Sequence, residues 1–355
     1  MDFEVKTDDL RECRVVDAGP PEPEPGQAVL AVSAFGLTTN NITYAVMGDA
    51  MSYWDFFPAE QGWGRIPVWG FAEVASSRHD GLERGSRIFG YLPPSSHLLV
   101  TPERVRGRGF VDASPHRASL PAAYNSYARV ESDPIYDPAH EDEQMLLWPL
   151  FYTSFLIDDF LGENRFFDAA AVVLSSASSK TALALAFLVD RRDGVEVIGL
   201  TSPGRVEFVE RTGVYGRVVR YDDVGALPDA RAIYVDMSGD ATVRSAVHAH
   251  YGDSLAHSAV VGMTHHDRMG GTEGLVGPSP KFFFAPERVI KRRQDWGREG
   301  LDERVAEAWD PFVEWTAGWL AVAHGRGPKA IEAAYLELLD GRIDPSSAYV
   351  LSLSS

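Results

Sequence analysis

Cysteine is nearly missing from this chain: Cys13 is the only one in 355 residues, which excludes an internal disulfide and any zinc site built from several thiolates. No stretch approaches the roughly 18 consecutive apolar residues that a membrane-spanning helix needs. Positive charge is also short, with 33 Lys and Arg against 51 Asp and Glu and a formal net charge of −18, which argues against nucleic acid or an anionic membrane as partner. The acidic, Pro-rich first segment lacks the profile of a signal peptide, so a cytoplasmic chain is expected. Glycine, plentiful elsewhere, is missing from the one turn where a nucleotide-binding protein would need it.

That turn lies in Ala170 to Val189, AAVVLSSASSKTALALAFLV. Ala169 to Leu174 form a continuous apolar run of the kind buried on both faces of a parallel sheet. Ser175 to Ser179 supply a hydroxyl-rich turn, and from Lys180 onward strong helix formers continue without Pro or Gly up to Gly194. A strand, turn and helix in this order present unpaired N–H groups and the positive end of a helix dipole to an anion. Ser176, Ala177, Ser178 and Ser179 keep the small volume that close approach requires, Lys180 adds a cation and Thr181 a hydroxyl, although each Cβ holds a pyrophosphate farther out than glycine does. The same residues also read as a helix with a serine-rich cap.

A second apolar run, Val195 to Leu200, ends in Thr201-Ser202-Pro203-Gly204-Arg205, with Ser202 placed as an N-cap, Pro203 as first helical residue and Gly213 after the helix. NAD-binding proteins place a carboxylate at the end of this second strand. Here Thr201, Ser202 and Arg205 offer hydroxyls and a guanidinium instead, which favours NADP(H) as the cofactor. Strands are expected over Arg217 to Tyr221, Ala232 to Met237 and Ser258 to Met263, making an α/β unit with a parallel sheet. Its carboxyl edge gathers Tyr221, Met237, Gly239 and Thr264 as further cofactor contacts, and His265 as a contact to substrate or nicotinamide able to donate a proton. His265 and His266 lack a third ligand at metal-site spacing, so no metal is expected.

Met1 to about Arg129 alternates short β-like runs with turns, among them Ala28 to Phe35, Val68 to Ala75, Ser86 to Tyr91 and Leu98 to Val100, while PPEPEPG at Pro20 to Gly26 is a stiff connector. Glu131 to Gln144 reads as an acidic surface insertion and Leu146 to Leu161 as a buried helix. Past Gly274, Lys281 to Pro286 is a short strand and Lys291-Arg292-Arg293 a solvated helix face. Trp309, Phe312, Trp315 and Trp319 sit on an amphipathic helix interrupted by Asp310-Pro311, either as a new helix start or as a kink. This aromatic face has three possible uses: packing on the β-rich part, covering a cleft, or forming a dimer interface. A helix from Pro328 to Gly341 and a strand from Ala348 to Leu353 close the chain.

The segments AVLAVSAFGLTTNNITYAVMGD, IPVWGFAEV, LERGSRIFGY and HLLVTPERV resemble the GroES-like substrate domain of the medium-chain dehydrogenase/reductase superfamily, in its zinc-free quinone-oxidoreductase-like branch. Gly85-Ser86-Arg87-Ile88 departs from the Gly-Asp-Arg-Val turn of that family by Ser for Asp. SSASSKTALALAF, VIGLTSPGRVEFVE and KFFFAPERVIKRRQDWG make the whole chain similar to the DUF2855 family. The resemblance implies three parts: a GroES-like β-rich substrate domain with the acidic insertion over 1–147, a Rossmann-type NADP(H)-binding domain over 148–276, and a C-terminal segment over 277–355 that returns to the substrate domain. It also implies a Thr near the nicotinamide, matched by Thr153, whose alternative is a hydroxyl bonded back to its own helix. A segment crossing beside the nicotinamide is matched at Phe282, whose alternative is a core phenylalanine. Tyr44 matches a tyrosine that protonates reduced conjugated substrates, and Asn41 matches a residue that orients a carbonyl or the nicotinamide ribose; a buried, hydrogen-bonded Tyr44 is the competing expectation.

Two functions are expected, the first implied by the resemblance and the second by the glycine-free turn. One is a zinc-independent, NADPH-dependent reductase of a small carbonyl or enone held in a cleft between the domains, acting as a monomer or homodimer without nucleic acid or membrane partners. The other is a fold that has lost hydride transfer and serves as a lyase, a cyclase or a ligand-binding protein.

Overall fold

The computed structural model describes residues 1–261 and 274–353, so Thr264 and His265 lie outside the described residues. The chain divides into two compact units, one of Met1–Leu146 with Leu320–Ser355 and one of Leu147–Trp319.

In the first unit the strands are β1 (Asp2–Lys6), β2 (Cys13–Val16), β3 (Ala28–Leu37), β4 (Trp63–Gly64), β5 (Val68–Ser77), β6 (Arg87–Leu92), β7 (His97–Val100), β8 (Pro102–Arg106), β9 (Gly109–Asp112) and β10 (Ser126–Arg129). After the chain returns it adds β17 (Ala321–Arg326) and β18 (Ser347–Ser352), with helix α1 (Thr39–Val46) following β3 and α7 (Pro328–Leu339) between the last two strands. A small sheet runs β2-β1-β4, and a large one runs β17-β18-β3-β5-β6-β10-β9-β8 with β7 on β3. The inward residues of β3, β5 and β6, including Leu30, Phe35, Val68, Val74 and Ile88, are fully buried and make the core of this unit. Apolar burial of this kind is the main favourable term in its stability.

The second unit carries β11 (Ala171–Leu174), β12 (Glu196–Thr201), β13 (Arg217–Arg220), β14 (Ala232–Asp236), β15 (Leu255–Val260) and β16 (Lys281–Phe282). They form one sheet in the order β13-β12-β11-β14-β15-β16, and every pair is parallel. Counted within the unit this is 3-2-1-4-5-6, the strand order of the dinucleotide-binding fold. The helices are α2 (Glu141–Glu163), which spans the division between the units, then α3 (Lys180–Val189), α4 (Val206–Arg211), α5 (Ala241–Tyr251) and α6 (Ala285–Thr316). All four residues of β11 are buried, as expected for a strand covered on both faces. Among the described residues no helix is long and apolar enough to cross a membrane.

Several expectations need correction. The return to the first unit falls at Leu320 and not at residue 277, because β16 pairs with β15 and α6 packs inside the second unit. The acidic segment does not end as a surface insertion: Glu141, Asp142 and Glu143 form the first turn of α2, where carboxylates are favoured by the helix dipole. Asp310-Pro311 neither starts a helix nor breaks one, and the non-helical residue in α6 is Gly297, at φ 74°. Lys291 and Arg292 are not merely solvated. Together with the buried Arg288 they pair with Asp159, Glu163 and Asp295, tying α6 to α2. The aromatic face of α6 stays within the second unit, with Trp309 on Trp148, Phe312 on Phe151 and Trp315 on Phe187, at centroid distances of 5.4, 4.7 and 5.1 Å.

Candidate functional site

The strand order reverses between β11 and β14, and in open parallel sheets the ligand crevice lies beyond the carboxyl ends of the strands at that point. Two residues lie at those strand ends here, Ser175 after β11 and Asp236 as the last of β14, both fully buried. The Ser175 hydroxyl donates to Asp236 Oδ1 at 2.9 Å and accepts the N–H groups of Met237 and Ser238 at 2.9 and 3.1 Å. Asp236 Oδ1 also accepts from the Ser238 and Gly239 N–H groups, both at 3.0 Å, and its Oδ2 pairs with the buried Arg244 at 2.9 Å. Gly239 takes φ 67°, a conformation open to glycine, and Asp240 then caps α5 through the N–H groups of Thr242 and Val243.

The glycine-free turn is held by side chains. Ser176 adopts φ 52°, and its N–H donates to the Tyr221 hydroxyl at 2.8 Å. Ala177 is fully buried: its N–H donates to Leu200 O at 3.0 Å, and its carbonyl accepts the Tyr215 hydroxyl at 2.9 Å. A glycine is still needed for close approach, but it sits on the neighbouring strand. A Cβ on Gly199 would lie 2.9 Å from Ala177 Cβ and 3.0 Å from the Tyr215 ring. Burial pushes the Tyr215 phenol well above its ordinary range, so it stays protonated and able to donate.

Ser179 is the N-cap of α3, accepting the Ala182 N–H at 3.2 Å, which fixes its hydroxyl on the helix. Ser178 within the turn, and Lys180 and Thr181 after it, are half-buried. Thr201 ends β12 and is buried, whereas Ser202 and Arg205 bracket the exposed Pro203-Gly204 turn; the Ser202 hydroxyl makes no capping bond. Tyr221 and Met237 follow the ends of β13 and β14. The parallel topology therefore brings Ser176, Ser178, Ser179, Lys180, Thr181, Thr201, Ser202, Arg205, Tyr221, Met237 and Gly239 to one edge of the sheet. Thr153 donates back to Pro149 O within α2 at 3.1 Å, as its alternative expected, and Phe282 is paired with Val260 on the edge strand.

The residues assigned from the first unit are packed more tightly than their expected roles require. Asn41 forms a capping box with Thr38, accepting the Thr38 N–H at 2.8 Å, and donates to Pro67 O at 2.9 Å, so its amide serves the fold of α1. Tyr44 is 7% exposed, with its ring 4.6 Å from Tyr53 and 5.9 Å from Tyr91. Burial and the nearby Tyr124 raise its pKa, while Asn40 and Trp69 act in the opposite direction.

Sequence reasoning did not single out Asp236, Arg244, Tyr215 or His248. His248 is fully buried, with its ring nitrogens 2.9 Å from Val276 O and from the Ser258 hydroxyl, and burial lowers its pKa. The last residue of an apolar strand being an aspartate was the one available signal, in AIYVD.

A family model described as "Protein of unknown function (DUF2855)" matches residues 35–344. No curated protein matches the sequence. Among solved structures, CurA from Vibrio vulnificus in complex with NADPH aligns at TM-score 0.57 and 12% identity, over 97% of this chain and 94% of that one. Mycobacterial Rv1454c complexed with NADPH aligns at TM-score 0.54 and 18% identity, over 99% of each chain. Glucose dehydrogenase from Haloferax mediterranei aligns at TM-score 0.56 and 14% identity, over 100% of this chain and 99% of that one. These likenesses establish the fold, a GroES-like β-rich part with a Rossmann-type parallel sheet.

Proposed function

This chain belongs to the DUF2855 family, and from that premise we propose that it is a zinc-independent, NADPH-dependent oxidoreductase that reduces a small carbonyl or enone. The observation that carries the proposal is the 3-2-1-4-5-6 parallel sheet, whose switch point is flanked by the N-termini of α3 and α5. CurA and Rv1454c, which share the fold, were solved with NADPH.

When bound, the nicotinamide supplies a hydride to the substrate. The remaining work falls to the chain. The turn Ser176–Ser179 and the start of α3, with Lys180 and Thr181, face the pyrophosphate, and side-chain bonds from Tyr221 and Tyr215 hold that turn in place. Thr201, Ser202 and Arg205 take the 2′-phosphate, with no carboxylate between Thr201 and Arg205 to repel it. Asp236 and Ser175 fix the second turn, Met237–Gly239, before any ligand arrives. Phe282, beside Val260 on the edge strand, is assigned to the nicotinamide end. Burial keeps the Tyr44 hydroxyl protonated at neutral pH, as the proton-donor role implied by the resemblance requires.

Titration of the purified protein with NADPH and with NADH, followed by nicotinamide fluorescence, tests the proposal. Binding of NADPH more tightly than NADH is the expected result. Absence of binding of either nucleotide at millimolar concentration removes the reductase and leaves a lyase, cyclase or ligand-binding role.

A further inference from the structure

The ladder between β12 and β13 sets Arg220 opposite Thr201, so the last residues of the two strands lie side by side at the carboxyl edge of the sheet. Thr201 is followed by Ser202 and by the turn that carries Arg205. Strand register and the following turn thus bring two arginines from different elements, Arg205 and Arg220, to the same edge in a protein whose net charge is −18. The Arg220 side chain is 52% exposed, and its ion-pair partner Asp222, with Nε to Oδ1 at 3.2 Å, is 61% exposed.

We infer that Arg220 is a second cation for a phosphomonoester at this edge, and that Asp222 is the carboxylate such a phosphate displaces; on the NADP(H) proposal above, that phosphomonoester is the 2′-phosphate of adenosine. An ion pair this exposed contributes little, so exchanging its partner costs little. A phosphate dianion offers the guanidinium two parallel charge-assisted hydrogen bonds in place of one screened contact. Asp222 therefore holds Arg220 at the edge of the site and lowers its affinity for the incoming phosphate.

The same strand supplies a control. Arg217 sits near the opposite end of β13 and pairs with Glu196 at 3.3 Å, and it is similarly exposed. Three residue steps of extended chain separate the two arginines by roughly 10 Å. Only Arg220 is at the carboxyl edge.

Calorimetric titration of the full chain with 2′,5′-ADP and with 5′-AMP tests this assignment, because these fragments differ by the one phosphate. Arg220→Gln is expected to weaken 2′,5′-ADP by roughly tenfold, the scale of a charge-assisted contact, and to leave 5′-AMP unchanged. Asp222→Asn is expected to strengthen 2′,5′-ADP severalfold, again without effect on 5′-AMP, while Arg217→Gln changes neither. An Arg220→Gln variant that behaves like Arg217→Gln, or that loses both ligands equally, overturns the assignment of Arg220. If the unmodified chain prefers 2′,5′-ADP to 5′-AMP and the variants have no effect, this inference alone fails. If the unmodified chain binds neither fragment, the NADP(H) proposal fails with it.

Discussion

Ser175 follows β11 and Asp236 ends β14, the two neighbouring strands at the switch point, and the 2.9 Å bond between the Ser175 hydroxyl and Asp236 Oδ1 joins those ends. Through it the first turn, the second turn and the buried Arg244 become one hydrogen-bonded unit. Removing one partner of a buried ion pair leaves the other uncompensated. Asp236→Ala is therefore expected to cost about 3–5 kcal/mol of stability, measured as a lowered urea midpoint. Asp236→Asn keeps an acceptor for Ser175 and for the turn N–H groups and should lose less. Equal stability of the alanine variant and the unmodified protein overturns the role given to this pair.

Stability at mildly acidic pH tests a second buried group. His257, in β15, stacks on Phe167 with centroids 4.5 Å apart and the rings parallel to within 1°, and burial followed by the Lys281 charge lowers its pKa to about 4. In the unfolded chain the imidazole titrates near 6.5. Below about pH 6.5 the unfolded state therefore gains a proton that the folded state refuses, and stability falls as pH drops from about 6.5 toward 4. His248 acts with the same sign because burial lowers it too. His257→Phe removes the His257 contribution, so the change in urea midpoint between pH 7 and pH 5 should shrink. An identical change in both proteins refutes the buried neutral state of His257.

The proposed zinc independence follows from the scarcity of thiolate ligands, with one cysteine in the chain. Protein purified without added metal is expected to hold no stoichiometric zinc by elemental analysis. One zinc per chain surviving dialysis against a chelator contradicts it.

Much of the second unit was legible in the sequence because its signals are local. The run Ala169 to Leu174 and the serine cap before Lys180 place β11 and the start of α3, since a buried strand and a capped helix each carry a short-range pattern. The supports of the site were not legible, because each joins residues far apart in sequence: Tyr221 to Ser176, Tyr215 to Ala177, Arg244 and Ser175 to Asp236. The close-approach glycine was sought in the turn and stands on β12 as Gly199. Strand β17 was missed because its AVAHGR sequence is largely exposed at a sheet edge and lacks the alternation of a half-buried strand. Trp315 and Trp319 were visible as an aromatic face, but periodicity gives the face and not the element it meets.

Variants of Lys180 and Arg205 distinguish the proposed pyrophosphate contact from the proposed 2′-phosphate contact. Lys180 is the first residue of α3, directly after the Ser179 cap, at the end of the helix where a bound anion is favoured. Lys180→Met keeps the aliphatic stem and removes the ammonium. Affinity for NADPH and for NADH should fall by a similar factor, about 1.5–3 kcal/mol for a direct charge-assisted contact, with little change in melting temperature. Arg205→Ala should instead weaken NADPH while leaving NADH nearly unchanged, because the 2′-phosphate is present in only one of the two. Parallel fluorescence titrations of both variants with both nucleotides distinguish these patterns. Loss of NADPH binding alone in Lys180→Met moves the lysine to the 2′-phosphate, and no loss for either nucleotide leaves the pyrophosphate to the backbone N–H groups of the turn.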